Sequence, residues 1–451
     1  MKNREVPMKR HTTRRLGAVA AIAVAGIVLA GCSGGSDAAI ATKAPDHLSG
    51  TVTLWEFFSD REAGVVQSVI DDFHKKYPGV KVDVRTGQED DKIIKAIAAG
   101  NDLDVAISGA VDNVGAFCSS GALRDLTPYI QRDGVQLSQL SDVARSYTSF
   151  DGKQCALPML ADVQGLYYNT DLLQAAGYSA PPKTLSELEA MAVKLTTYNA
   201  DGSIKTLGFN PLMGAYENAP TVFGAAAGAD WMKDGKSAIA SSPGWKELMT
   251  WQKSFIDKIG YDKLKAFTAG LGDEFSAGQA FQTGQLAMNL DGEWRVAFLA
   301  DQAPDVTYGV APFPVLDGHE DLYGGGYSSG TIAGVSKASK NPEAAWALLR
   351  YLTFDTDAVV KLANGLKNVP TTKDALASSK LDLPAQFGTF LDIAKSPHLT
   401  SIPATVIGSA NQVALSGYWT KFQSGGGGDL DAGLKKVDKD IDDQLALSEG
   451  P

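Results

Sequence analysis

Residues 51–108 constrain the fold more than any other stretch of the chain. Thr51-Val-Thr-Leu-Trp55 reads as a strand, and residues 62–76 then place Val66, Val69, Ile70 and Phe73 at helical spacing before Tyr77-Pro78-Gly79 stops the helix. Val80, Val82 and Val84 alternate with Lys81, Asp83 and Arg85 as a second strand. Ile93, Ile94 and Ile97 mark a short helix, and residues 103–108 a third strand. Strands that alternate with helices build a mostly parallel sheet covered on both faces, so the expected class is α/β. The later chain is richer in helix. Thr184-Leu-Ser-Glu187 is a capping box launching Leu185, Leu188, Met191 and Leu195. Pro342 opens a helix that carries Trp346, Leu349 and Leu352 inward. A glycine loop at 425–428 precedes a last amphipathic helix with Leu430, Leu434, Val437, Ile441 and Leu445.

The first residues read differently. Lys9, Arg10, Arg14 and Arg15 precede an apolar run from Leu16 to Ala30, too short to span a bilayer, and Leu29-Ala30-Gly31-Cys32 closes it. A basic start, a short apolar run and small residues before a cysteine predict an export signal over 1–31. Cys32 is then expected to carry diacylglycerol and to hold the chain at the outer face of the cell membrane, two acyl chains anchoring more firmly than one. The alternative is a plain signal peptide with an incidental cysteine; the Arg14-Arg15 pair leaves the export route open. Residues 32–49 are small, polar and without periodicity, a lipidated tether.

Of 41 basic and 52 acidic side chains, six and one fall in that leader, so the remaining chain carries a net charge of −16. Such a surface repels nucleic acid and anionic lipid, which leaves membrane contact to the acyl anchor. Past the leader only Cys118 and Cys155 remain beside Cys32. Outside the cytoplasm disulfides persist, so one Cys118–Cys155 bridge is expected, two free thiols being the alternative. Five histidines and two cysteines in these positions offer no metal-ligand spacing, and neither metal nor cofactor is expected.

Several blocks, in order, carry a resemblance: Val52-Thr-Leu-Trp55, Tyr77-Pro-Gly-Val-Lys-Val82, Gly121-Ala-Leu-Arg-Asp-Leu-Thr-Pro-Tyr-Ile130, Asp151-Gly-Lys-Gln-Cys-Ala-Leu-Pro158, Gly165-Leu-Tyr-Tyr-Asn169, Phe281-Gln-Thr-Gly-Gln-Leu-Ala-Met288, Asp291-Gly-Glu-Trp294 and Gly324-Gly-Gly326. Behind the Cys32 motif they resemble the extracellular solute-binding lipoproteins of carbohydrate ABC importers, the group that includes maltose-binding protein. The resemblance implies a periplasmic-binding-protein-like fold, two α/β lobes joined by a hinge with the ligand cleft between them. By position, 50–160 with 316–352 resemble the first lobe, and 161–315 with 353–451 the second. It also implies a monomer that captures a sugar or oligosaccharide and delivers it to the transmembrane subunits of a permease by lobe closure.

Ligands of open α/β sheets sit outside the carboxyl ends of strands, which selects Trp55 and Glu56 after the first strand and Ser108 and Gly109 after the third. A sugar needs flat apolar walls for its C–H faces and fixed acceptors for its hydroxyls, and aromatics beside carboxylates supply both. Aligned without gaps from Pro158 to Asn169, Asp162 falls where the family carries a sugar-binding carboxylate, and Trp294 matches its stacking tryptophan, with Asp291 nearby. Gly326 and Tyr327 are candidates for backbone and aromatic contact. Each has a plainer alternative: a core tryptophan, a turn acid, a solvated glutamate. The rival functions are a lipid-anchored carbohydrate-active enzyme and a binder of a non-sugar solute such as a polyamine. Neither HExxH nor a P-loop is present, and the binding reading is preferred over catalysis.

Overall fold

The computed structural model describes residues 40, 42–100 and 102–448; the leader and Cys32 lie outside the described residues. Strand β1 (Gly50–Glu56), helix α1 (Asp60–Lys76), strand β2 (Val80–Arg85), helix α2 (Asp90–Ala99) and strand β3 (Val105–Ser108) follow the predicted alternation. β1 lies between β2 and β3 and pairs with both in parallel, Val52 opposite Val82 and Leu54 opposite Val105. Val66, Val69, Ile70 and Phe73 of α1 are fully buried, each contributing about 1.5–3 kcal/mol by leaving water. Gly100 ends α2 in the left-handed conformation, φ 62°, as a C-cap glycine does.

The other strands of the nine-stranded sheet are β4 (Leu157–Asn169), β5 (Met288–Gly292), β6 (Tyr308–Ala311), β7 (Gly326–Val335), β8 (Val369–Pro370) and β9 (Leu399–Thr400). The order is β5-β4-β7-β3-β1-β2, with β6 and β8 also on β4 and β9 on β7. β4 spans thirteen residues and changes partners along its length. Its first half pairs antiparallel with β7, and its second half with β5 and β6. β7 does the same, pairing with β9 at its start and β3 at its end. Between Thr331 and Ile332 the β4–β7 ladder slips by one residue, a bulge.

The helices that complete the packing include α3 (Leu185–Leu195), α4 (Arg295–Gln302), α5 (Pro342–Phe354), α6 (Thr356–Leu366) and α7 (Leu430–Ser448). α3 carries the predicted capping box, Thr184 accepting from the Glu187 N–H while Glu187 reaches back. Two sets of buried side chains lie along the sheet. A large core gathers Val163, Leu185, Trp245, Phe281, Leu290, Val369, Phe390, Trp419 and Ile441. Another packs Trp55, Ile93, Ile97, Phe117, Leu123 and the two cysteines. The exchange expected at residue 353 does not match this packing. α6 lies on α1, with Lys361 Nζ donating to Ser68 O at 2.8 Å and Arg61 Nη1 to Gly365 O at 2.6 Å. Leu140 bridges Thr372, and Lys373 Nζ donates to Ser138 O at 2.8 Å. The chain therefore stays with the β1–β3 side past residue 353. At the other boundary Leu316 and Tyr327 are already in the large core. Helical periodicity gives an element and its apolar stripe but not the surface that the stripe meets.

Cys118 and Cys155 form a disulfide with Cα atoms 5.6 Å apart, and both are buried. Their sequence separation is 37, a loop whose closure constrains the unfolded chain by about 4 kcal/mol on the chain-entropy estimate. Urea unfolding of the Cys118→Ala/Cys155→Ala double variant is expected to give a stability lower by about 2–4 kcal/mol. Equal stability would show that the bridge does not constrain the fold.

Candidate functional site

At the carboxyl ends of β1 and β3 lies a cavity of about 500 Å³. The turn after β1 supplies Phe57, Phe58 and Ser59, and the start of α1 supplies Asp60, Arg61 and Glu62. Asp60 has φ 46°, a left-handed conformation that costs energy outside glycine and tends to persist at functional positions. Gly109 lines the cavity just past β3. Its N–H faces both oxygens of Asp90 at 3.2 Å, and the buried Ser108 hydroxyl donates to the same carboxylate at 2.7 Å. Asp162 of β4, Thr331 of β7 and Asn368, just ahead of β8, come from the shared strands; Glu217, Phe275, Trp294, Phe298, Asp301 and Gln302 complete the wall.

The corner between β5 and α4 aims Trp294. A side chain on Gly292 would meet the Trp294 ring at 2.2 Å, so only glycine lets the indole fold back over the backbone. Asp291, fully buried, accepts from Arg295 Nε at 2.7 Å, Asn289 Nδ2 at 3.0 Å and Gly292 N at 3.0 Å. One helical turn on from Trp294 stands Phe298, and Asp301 and Gln302 stand a turn beyond that, so one helix face supplies four lining residues. Arg61 reaches this helix from α1. Its Nε is 3.4 Å from Asp301 Oδ2, and its guanidinium lies 5.9 Å from the Phe298 ring centre.

Asn368 organises the polar side. Its Nδ2 donates to Asp162 Oδ1 and to Glu293 Oε1, both at 2.8 Å, and Glu293 Oε2 accepts from the Val163 N–H at 2.8 Å. Burial pushes the Asp162 carboxyl up to about 7, with the charge of Glu62 adding to the effect against the bonds from Asn368 and Glu293. Burial and then the Asp162 charge hold Glu293 well above the usual carboxylate range. Glu217 is raised likewise, by burial and then by Glu274.

Of the residues expected at the site, Gly109, Asp162 and Trp294 line the cavity. The others do not. Trp55 points to the opposite side of its strand from Leu54 and Glu56, into the cluster with Ile93, with Arg85 and Lys92 over its ring at 5.7 and 5.5 Å. Glu56 is fully buried, one residue short of Phe57, and burial lifts its carboxyl to about 7. Ser108 and Asp291 act one step back, positioning Gly109 and the Trp294 corner. Gly326 and Tyr327 line a separate cavity of about 10 Å³, and Tyr327 belongs to the large core. Gly326-Tyr-Ser-Ser-Gly330 spells G-x-S-x-G, but it lies within β7 rather than at a strand-to-helix turn. Ser328 there is buried and donates to Ser329 O at 3.1 Å, so the segment is no nucleophile elbow. Sequence reasoning missed Arg61, Glu217 and Asn368. The helical spacing from Trp294 through Phe298 to Asp301 was a usable signal, and Asn368 had none.

Aromatic rings on one flank and carboxylates with an amide on the other, set at strand ends between two packed cores, define a cleft for a small polar solute. The profile of the bacterial extracellular solute-binding protein family matches residues 59–359, and the chain belongs to that family. It is 25% identical to the maltotriose-binding protein of Pyrococcus abyssi over 331 residues, 73% of this chain and 68% of the relative. It is 27% identical to the maltodextrin-binding protein MdxE of Bacillus subtilis over 267 residues, 58% of each chain. The solved structure of CpMnBP1 with mannotriose bound superposes with a TM-score of 0.76 at 25% identity, covering 87% of this chain and 99% of that one.

The raised carboxyls give a pH dependence with a definite sign. Between the ordinary carboxylate pKa near 4 and about 7, native Asp162 holds a proton that the unfolded chain has lost. The native state therefore binds more protons in that window, and its stability falls as pH rises through it. Thermal melts of ligand-free protein from pH 4.5 to 7.5 are expected to show this fall, with a shallower slope in Asp162→Asn. An identical slope in the variant would show that Asp162 titrates normally.

Proposed function

We propose that the cavity captures a sugar or short oligosaccharide outside the cell and that the protein delivers it to the membrane subunits of an ABC importer. The observation that carries this reading is the facing of the Trp294 platform and the Asp162–Asn368 polar pair across one cavity. A pyranose presents a C–H face to an aromatic ring and hydroxyl donors to a carboxylate, and this pairing answers both. Family membership and relatives named for maltotriose, maltodextrin and mannotriose support it.

The two cores serve in this reading as lobes, with β4 and β7 as the hinge. Closure brings the α1 start toward α4, and the Arg61–Asp301 pair holds the rim. A solute that touches both sides stabilises the closed arrangement by the contacts made only there. Cys32 anchors the chain through its lipids, and 33–49 give it reach from the outer membrane face. Binding without catalysis is the preferred reading. Glycoside hydrolysis needs two carboxylates flanking one bond, whereas Glu293, the nearest partner of Asp162, is fully buried and turned onto Val163 N and Asn368.

Two measurements test this. Trp294→Ala removes apolar area and an aromatic contact worth about 2–4 kcal/mol together, so affinity for the best sugar of a panel is expected to fall about tenfold or more in calorimetric titration. Its melting temperature is expected to change less; a variant that melts far lower yet binds normally would place Trp294 in the core instead. Cys32→Ser is expected to release the protein from the membrane fraction into the medium, and undiminished membrane retention would overturn the anchor.

A further inference from the structure

The wall of the cavity is charged in one direction. Asp60, Glu62, Asp162, Glu217 and Asp301 line it, against the single guanidinium of Arg61. That cation is already engaged: it sits 3.5 Å from Glu62, 3.4 Å from Asp301 and donates at 2.6 Å to Gly365 O. Among the described residues, Asp60, Asp162 and Glu217 have no cationic partner. A second layer of acids stands behind them. Glu293 shares Asn368 with Asp162, and Glu274 adjoins Glu217. The nearest guanidinium to Glu274, that of Arg295, is 4.0 Å away and is committed to Asp291 at 2.7 Å. The half-buried Trp294 face opens into the same space.

Resting on the reading of this cavity as a sugar-capturing cleft, we propose that its ligand carries a protonated amine, as an amino sugar does, seated between Asp162, Glu217 and the face of Trp294. Neutral hydroxyls offer such a wall only dipoles, and several carboxylates held together out of water repel one another. An ammonium supplies the missing charge and donates charge-assisted bonds to both acids. An indole face attracts the same cation. Phe57, Phe275 and Phe298 leave apolar wall for the rest of a sugar ring.

The charge makes the preference depend on pH. Asp162 faces Glu62 of α1, Glu293 of the β5–α4 corner, Asn368, and the hydroxyls of Tyr147 and Tyr327. Glu217 faces Glu274, Asp291 and Asp162. Protonation of these carboxyls on acidification removes the attraction, so an amine binds more weakly as pH falls toward 5.

Calorimetric titration of the full chain in detergent decides the matter with four sets of ligand: glucosamine and galactosamine oligomers, their N-acetylated counterparts, maltotriose and mannotriose, and spermidine. The expected result at pH 8 is amine forms bound about tenfold or more tighter than their N-acetylated forms, an advantage that shrinks at pH 5 and in high salt. Glu217→Gln and Asp162→Asn, each close to isosteric, are expected to narrow the amine-to-acetyl ratio. Neutral or acetylated sugars binding as tightly as the amines would overturn this inference and leave sugar capture standing. Spermidine binding tightly while every sugar fails would support the cationic ligand and overturn the sugar reading. A ratio unchanged in both variants, or no binding by any of the four sets, would overturn the inference.

Discussion

Asn368 reaches Asp162 across 206 positions of sequence and Glu293 across 75, and one Nδ2 satisfies a carboxylate oxygen of each at 2.8 Å. Glu293 in turn caps the Val163 N–H, so the amide ties β4, the β5–α4 corner and the segment after α6 into one unit. Two buried acids this close repel each other unless they share protons and donors, and the raised affinity of both for protons reflects that. Local backbone geometry delivers the amide to this spot. Lys367 ends α6 in the left-handed conformation, φ 60°, which turns the chain off the helix and puts Asn368 against β4. Much of the polar cavity wall follows from that turn.

The aromatic wall has a comparable dependence. Trp294 occupies the space that a side chain at 292 would fill, and the Asp291–Arg295 pair pins the corner from behind, fully out of water. A buried ion pair adds little net stability, since desolvation offsets attraction, but it fixes one geometry. Here that geometry sets the direction of Trp294 and, a turn later, Phe298. The cavity is thus held by groups that never enter it: Ser108 through Asp90 on one side, Asp291 through Arg295 on the other.

The alternation of 51–108 made the first sheet segment legible, because a period of two and a period of 3.6 are hard to confuse when valines and isoleucines carry them. The Thr184–Glu187 box was legible for the same local reason. Gly109, Asp162 and Trp294 were reached through strand ends and a family resemblance. Trp55 and Glu56 failed because strand ends point to two faces and sequence does not say which neighbour each face meets. Asp291 failed because a carboxylate beside a tryptophan looks the same whether it binds a ligand or an arginine four residues on. The placement of α6 on α1, and with it Asn368, depends on contacts spanning about 300 positions that no local pattern encodes.

Thr331 has two properties at once. It forms part of the cavity wall, and it sits where the β4–β7 ladder slips by one residue. A slipped ladder tolerates a change of local twist without losing its other bonds, so this is where the two strands joining the cores bend most cheaply. A molecule lying against Thr331 therefore acts as a splint on the joint itself. The rim, where Arg61 meets Asp301, is the far end of the lever and travels the longest path for a small rotation. Occupancy is in this way converted into an angle, and an angle is something a partner can read from outside without touching the solute.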